Sequence, residues 1–216
     1  MGIPTTWIDR GRRWPWAVAA IAFACAPTAA QNAPRLGETP AGDILADAAR
    51  LVASTEIALV PGNALRDDGD ARSVAPAMLL ASLATAGDSV VVMDLTGRQL
   101  LAALERSVAY AGKPFAGFLQ VSGLKIAFDP KAAIGARIKS ALVGEAALDA
   151  ARTYKVAMPR PLADGQLGYF QIWNKDQIAR DTGKTLEDAL RAIAASRPGP
   201  TGIQGRIVVA PPSGAR

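Results

Sequence analysis

Histidine is absent from all 216 residues of the chain. Without an imidazole there is no Ser/His/Asp relay, and the usual nitrogen ligand of a catalytic metal is missing too. Cysteine occurs once, at Cys25, so no disulfide can form within the chain and packing must stabilise it. A long apolar run is also lacking: residues 14–25 are mostly apolar but fall short of the roughly 20 residues that a spanning helix needs, and Pro15 and Pro27 interrupt the flanks. No internal repeat and no glycine-rich phosphate loop is present. Charge is mild, with 24 Lys and Arg against 19 Asp and Glu for a net +5. That balance is too even for a nucleic-acid footprint.

What is present begins with a distinct N-terminal segment. Arg10, Arg12 and Arg13 precede the apolar stretch, and Thr28-Ala29-Ala30 supplies small residues before Gln31. This is the layout of a bacterial secretory signal peptide over residues 1–30, which implies a periplasmic or secreted protein. A lipid anchor on Cys25 and a twin-arginine route through Arg12-Arg13 are the alternatives. Removal of this leader takes the cysteine with it and lowers the net charge from +5 to about +3. Residues 31–210 are then expected to form one domain, with residues 211–216 as a tail.

Residues 89–123 organise that domain. Val90, Val91, Val92 and Met93 form a β-branched run typical of a strand buried on both faces. Thr96 begins a helix, and Gln99 stands three residues on, where it can return a bond to the Thr96 backbone. Leu100, Leu101, Leu104 and Val108 then mark an apolar face, with Arg98, Glu105 and Arg106 read as its wet side. Gly112, Pro114 and Gly117 turn the chain into a second strand at 118–121.

The flanking segments supply further elements. Thr39 followed by Pro40 predicts a helix to about residue 54, with Ile44, Leu45, Ala48, Leu51 and Val52 inward. Strands are expected at 57–60, 124–128, 138–143, 154–158 and 206–209. Ser73 is read as opening a short helix with Met78, Leu79, Leu80 and Leu83 packed inward, and Thr185 as capping a last helix with Leu186, Leu190 and Ile193. Asp67-Asp68-Gly69-Asp70 lacks the terminal glutamate of a calcium loop and reads as a solvated turn. The aromatics Tyr169, Phe170 and Trp173 offer either a core cluster or an exposed stacking surface.

The ordered set RLGETPAGDILADA (35–48), ALVPGNALR (58–66), DSVVVMDLTGRQLLAALERSV (88–108), FLQVSGLKIAFDP (118–130), RTYKVAMPRPLADG (152–165) and GRI (205–207) resembles the C-terminal, substrate-binding domain of the 5′-nucleotidase and UDP-sugar hydrolase family. The resemblance implies a single α/β (α+β) domain with a mixed sheet flanked by helices. It also implies that the metallophosphatase half of such enzymes does not precede this segment, since the leader-like stretch runs directly into it. Two-metal hydrolysis needs donors that hold two cations about 3.5–4 Å apart, and a chain without imidazole is poorly supplied with them. No cofactor is expected.

The resemblance places the family's two anion-binding arginines on Arg35 and Arg66, whose planar forks suit phosphate. Local pairing with Glu38, Asp67 or Asp68 is the alternative role for each. Elsewhere the family's clamp is altered. Its loop asparagine is Pro61, its Pro-Phe-Gly-Asn is Thr85-Ala86-Gly87-Asp88, its second stacking phenylalanine falls in Arg160-Pro161, and its ribose-binding aspartate is Leu167. Loss of two stacking rings, each contributing about 1–3 kcal/mol per base, argues against tight adenosine binding. The expectation is an exported, non-hydrolytic binding or accessory module for a phosphorylated or other anionic ligand. The alternatives are a subunit that completes a hydrolase with a separate metallophosphatase chain, and a protein-interaction module using residues 169–173. Neither nucleic acid nor a transmembrane segment in the mature chain enters any of these readings.

Overall fold

The computed structural model describes residues 35–66, 75–196 and 203–211. The leader, the acidic turn at 67–70, Ser73 and the tail beyond residue 211 lie outside these residues. Thr39 caps the first helix, α1 (Pro40–Ala53), accepting from Gly42 N with Pro40 at the first helical position. Strand β1 (Ile57–Pro61) follows, then a turn and the 3₁₀ segment Pro76–Ser82. Of the side chains expected inward there, Leu79 and Leu83 are buried, whereas Met78 is 65% exposed. A 3₁₀ turn repeats every three residues, so the helical spacing that would bury Met78 does not apply.

Strand β2 (Ser89–Thr96) is longer than expected and runs straight into α2 (Gly97–Val108). The junction is a complete capping box: Gln99 N donates to Thr96 Oγ1, and Thr96 N donates to Gln99 Oε1 at 3.0 Å. Gly97 is required here because a Cβ would strike the Asp149 carbonyl. Strands β3 (Leu119–Ser122), β4 (Leu124–Phe128), β5 (Ile138–Val143), β6 (Ala146–Ala147) and β7 (Thr153–Pro159) follow, then the single turn α3 (Arg160–Ala163). The chain closes with β8 (Ile178–Thr185), α4 (Leu186–Ser196) and β9 (Ile207–Val209).

Two mixed sheets stand where one was expected. The larger has the order β3-β1-β7-β2-β8 and the smaller β6-β5-β4-β9. In the larger, β1 and β7 are parallel and every other pair is antiparallel. In the smaller, β9 joins β4 in parallel. Strand β8 was not anticipated: Ile178-Ala-Arg-Asp-Thr-Gly-Lys-Thr185 is an edge strand with mostly exposed residues, so no apolar alternation marks it.

The central strands are buried on both faces, which is why they are continuously apolar. Ile57, Leu59, Val91, Met93, Val156 and Met158 face α2, the smaller sheet and the Tyr169–Trp173 pair. Ala58, Val60, Val90, Val92 and Ala157 face Ile44 and Leu45 of α1 and Leu186, Leu190 and Ile193 of α4. The chain is thus layered, helices α1 and α4 on one side of the large sheet and α2 with the small sheet on the other.

Candidate functional site

Strands β1 and β7 end, and the antiparallel β2 begins, at the same edge of the large sheet; Val90 pairs with Pro159 in register there. Loops leaving this edge enclose a cavity of about 260 Å³. Open α/β sheets commonly bind ligands beyond the carboxyl ends of parallel strands. The walls are Pro61, Pro159, Pro161, Leu162 and Leu167, and the polar lining is Asn63, Thr85, Asp88 and Gln166. A more open cleft of about 380 Å³ runs along α1 past Arg50, Ser54 and Ser196; Leu51, expected inward, lines it and is 48% exposed, but neither arginine and none of the altered clamp positions is there.

Each loop is fixed by its own hydrogen bonds. Gly62 N and Asn63 N donate to the Phe118 and Ala116 carbonyls at 2.7 and 3.1 Å. The 85–88 turn closes through Asp88 N to the Thr85 carbonyl at 3.1 Å, and it docks on the start of α4 through Leu186 N to the Asp88 carbonyl at 2.9 Å. The third wall is the 165–168 segment, where Gly165, Leu167 and Gly168 all have positive φ (89°, 59° and 81°). Leucine in that region is uncommon and must be held by its surroundings.

Arg106 of α2 does the holding. Its Nε donates to the Leu167 carbonyl at 2.9 Å, and its Nη2 donates to the same oxygen. The guanidinium lies 5.6 Å from the Phe115 ring centre and 5.5 Å from that of Tyr169, within cation–π range. A Cβ on Gly168 would overlap it. From beneath, Tyr169 donates to the Gly117 carbonyl at 2.8 Å and Trp173 Nε1 to the Leu162 carbonyl at 3.0 Å. Their rings stack at 4.9 Å. Burial pushes the Tyr169 hydroxyl well above the usual phenol range, against the opposing pull of Arg106, so it stays a donor.

Arg106 and Glu105 were both read as solvated. Glu105 instead accepts from the backbone N–H groups of Arg137 and Ile138 at 3.0 and 2.7 Å. Of the two roles offered for the aromatics at 169–173, the core cluster holds for Tyr169 and Trp173, while Phe170 is 67% exposed.

The two arginines singled out in the sequence stand outside the cavity lining. Arg35 is half-buried; its carbonyl accepts from Phe115 N at 2.9 Å, one residue from the Ala116 carbonyl that holds Asn63. Its Nε is buried without a hydrogen-bond partner. Glu38, the carboxylate considered as its mate, instead accepts from Gln204 N and Ile207 N at 2.8 and 2.7 Å. Arg66 is exposed, three residues after Asn63, and its backbone N–H donates to the Ser82 carbonyl at 2.8 Å. Neither guanidinium forms an ion pair among the described residues.

Each of the four altered clamp segments does send a residue to the one cavity, namely Pro61, Thr85, Pro161 and Leu167, although Ala86, which stands where the family has its first stacking ring, is not in the lining. Asn63, Asp88 and Gln166 were not put forward as site residues. Their signal was adjacency, since each lies within three residues of an altered position. Among the described residues no group of three or more His, Cys, Asp and Glu side chains is placed to hold a metal ion.

Two mixed sheets, with helices on both sides of the larger one, define a mixed α/β domain. The chain belongs to the family described as 5′-nucleotidase, C-terminal domain, whose model matches residues 18–176. It is similar to a 5′-nucleotidase precursor from Thermus thermophilus, with 29% identity, a TM-score of 0.69 and coverage of 81% of this chain and 36% of that one. It shares its fold with an NAD nucleotidase of Haemophilus influenzae at 14% identity and a TM-score of 0.63, covering 80% of this chain and 33% of that one. An apyrase of Aedes albopictus is 31% identical over 115 residues, 49% of this chain and 20% of the apyrase. The chain thus spans about a third or less of the length of these relatives.

Proposed function

We propose that the chain is an exported binding or accessory module that does not itself hydrolyse its ligand, and that it takes a phosphorylated or carboxylated small molecule at the strand-end cavity. The observation that carries the reading is the cavity itself, with its uncommitted polar lining. Arg35 and Arg66 lie outside the lining and have no carboxylate partner among the described residues, and they are the groups proposed to meet the anionic end. Absence of histidine from the sequence supports a non-hydrolytic role, because a two-metal centre would have to be built without imidazole. Export is supported by the leader-like segment and by the similarity to a protein described as a precursor. No helix among the described residues is long and apolar enough to cross a membrane. Isothermal titration with inorganic phosphate, sugar phosphates and nucleotides tests the reading. Heat with at least one anion, lost in Arg66→Ala, is expected; no heat with any of them overturns it.

A second reading is that the chain completes a hydrolase by docking a separate metallophosphatase chain, and what favours it is Phe170, a large apolar side chain beside the cavity loop that is 67% exposed and could serve as the contact. Co-purification followed by a metal-dependent phosphatase assay tests this, and a partner equally active without the chain counts against it.

A further inference from the structure

We infer that the cavity selects a small, non-aromatic, hydroxyl-rich ring, that is, a sugar or related polyol, and not a nucleobase; this rests on the reading of the cavity as a binding site. Its volume, about 260 Å³, lies just below the roughly 300–1,000 Å³ of pockets for drug-sized ligands, so a single ring fits better than a ring with appendages. Among the described residues no aromatic side chain lines it. The nearby rings of Tyr169 and Trp173 are buried, stacked on each other and hydrogen-bonded beneath the loop, so neither offers a face to a planar base.

The polar lining makes the more specific demand. The side chains of Asn63, Asp88 and Gln166 form no hydrogen bond with any described residue. Thr85 Oγ1 is buried with no hydrogen-bond partner among the described residues, and an unmatched buried hydroxyl is costly until a ligand or water meets it. Together they present a carboxylate that only accepts, two amides that donate and accept, and a hydroxyl that does either. Neighbouring hydroxyls of a polyol also donate and accept, and a carboxylate takes two of them in charge-assisted bonds. An anion is a poor occupant of the cavity proper. Its lining carries a carboxylate and no cation, and three of its walls are prolines, which have no backbone N–H to give. A phosphate or carboxylate on the ligand would therefore point out of the cavity.

The test is saturation-transfer NMR and titration on the full chain with methyl glucoside, xylose and myo-inositol as neutral polyols, adenosine as the aromatic competitor, and inorganic phosphate. Binding of at least one polyol is expected, not displaced by adenosine, and weakened about tenfold or more in Thr85→Val and in Asp88→Asn. Thr85→Val removes a hydroxyl that bonds to no described residue, so its thermal midpoint should be unchanged or higher, separating lost recognition from lost folding. Displacement by adenosine, or no polyol binding by the folded protein, overturns the inference. Phosphate binding lost in Arg66→Ala but with no polyol response would overturn it while leaving the arginine reading standing, and the converse pattern would do the reverse.

Discussion

Arg206 grips Asp47 with two prongs, Nη1 to Oδ1 at 2.9 Å and Nη2 to Oδ2 at 3.0 Å, and so fastens the approach to the last strand onto the first helix. The same guanidinium donates to the Val121 carbonyl at 2.8 Å and lies 3.5 Å from Asp43. The Arg206 and Asp47 side chains are 15% and 11% exposed, and that of Asp43 is fully buried. Removing one partner of such a buried pair typically costs about 3–5 kcal/mol, because the remaining charges lose their compensation. Arg206→Ala should therefore lower the free energy of urea unfolding by that order. Arg206→Lys should recover only part of it, since an ammonium cannot serve both Asp47 oxygens and the Val121 carbonyl in the same plane.

Asp43 makes the same cluster sensitive to pH. Burial, opposed by Arg206 and reinforced by the neighbouring Glu38 carboxyl, pushes the Asp43 carboxyl up to about 8 from an ordinary value of 3.8. The folded state thus holds this proton to higher pH than the unfolded chain does. Its contribution to stability is complete below about pH 4, declines as pH rises toward 8, and is exhausted above that. Asp43→Asn carries no proton to lose. Urea midpoints at intervals from pH 5 to 9 should show the wild type declining relative to Asp43→Asn up to about pH 8 and running parallel above it. Parallel curves throughout would mean that the carboxyl ionises without penalty.

Thr96 offers a more local measurement. It joins β2 to α2 without an intervening loop, so one hydroxyl both ends the strand and begins the helix. Gln99, its partner in the capping box, also donates through Nε2 to the Ile172 carbonyl at 2.9 Å, tying the helix start to the segment after the cavity loop. Thr96→Ala should cost about 1 kcal/mol in chemical denaturation, the usual value for an N-cap. Gln99→Ala should cost at least as much, because it loses the long-range bond as well.

These cases show why some of the fold could be read from the sequence and some could not. The Thr96 cap was legible because its partner stands three residues away, and the β-branched run of β2 because burial on both faces leaves an unbroken apolar string. Strand β8 was hidden because it is specified by its pairing with β2 and not by its own polar residues. Helical periodicity placed Arg106 off the apolar stripe of Leu100, Leu104 and Val108, and so on a face read as wet. It could not reveal that residues 166–168 fold back over that face, since that contact spans 61 positions of chain. The cavity was half visible: the altered positions were identified one by one, but only the strand order brings Pro61, Thr85, Pro161 and Leu167 to one place.

Arg106 links the fold to the proposed site, and its replacement tests both. Hydrogen bonds to a charged group contribute about 1.5–3 kcal/mol, and a partly buried cation between two rings adds about 0.5–2 kcal/mol. Arg106→Ala should therefore destabilise the protein by about 2–5 kcal/mol, and Arg106→Lys should restore less than half, having no fork for the Leu167 carbonyl. A global loss alone would not establish that Arg106 shapes the cavity wall. Hydrogen exchange under native conditions separates the two: the Phe170 amide, which donates to the Gly165 carbonyl at 2.9 Å across the loop, should exchange much faster in the variant. Amides of the central strand β2 should change only as far as global stability requires. If the Phe170 amide merely follows the core, Leu167 keeps its left-handed conformation without Arg106, and the prolines and Trp173 suffice to hold the wall.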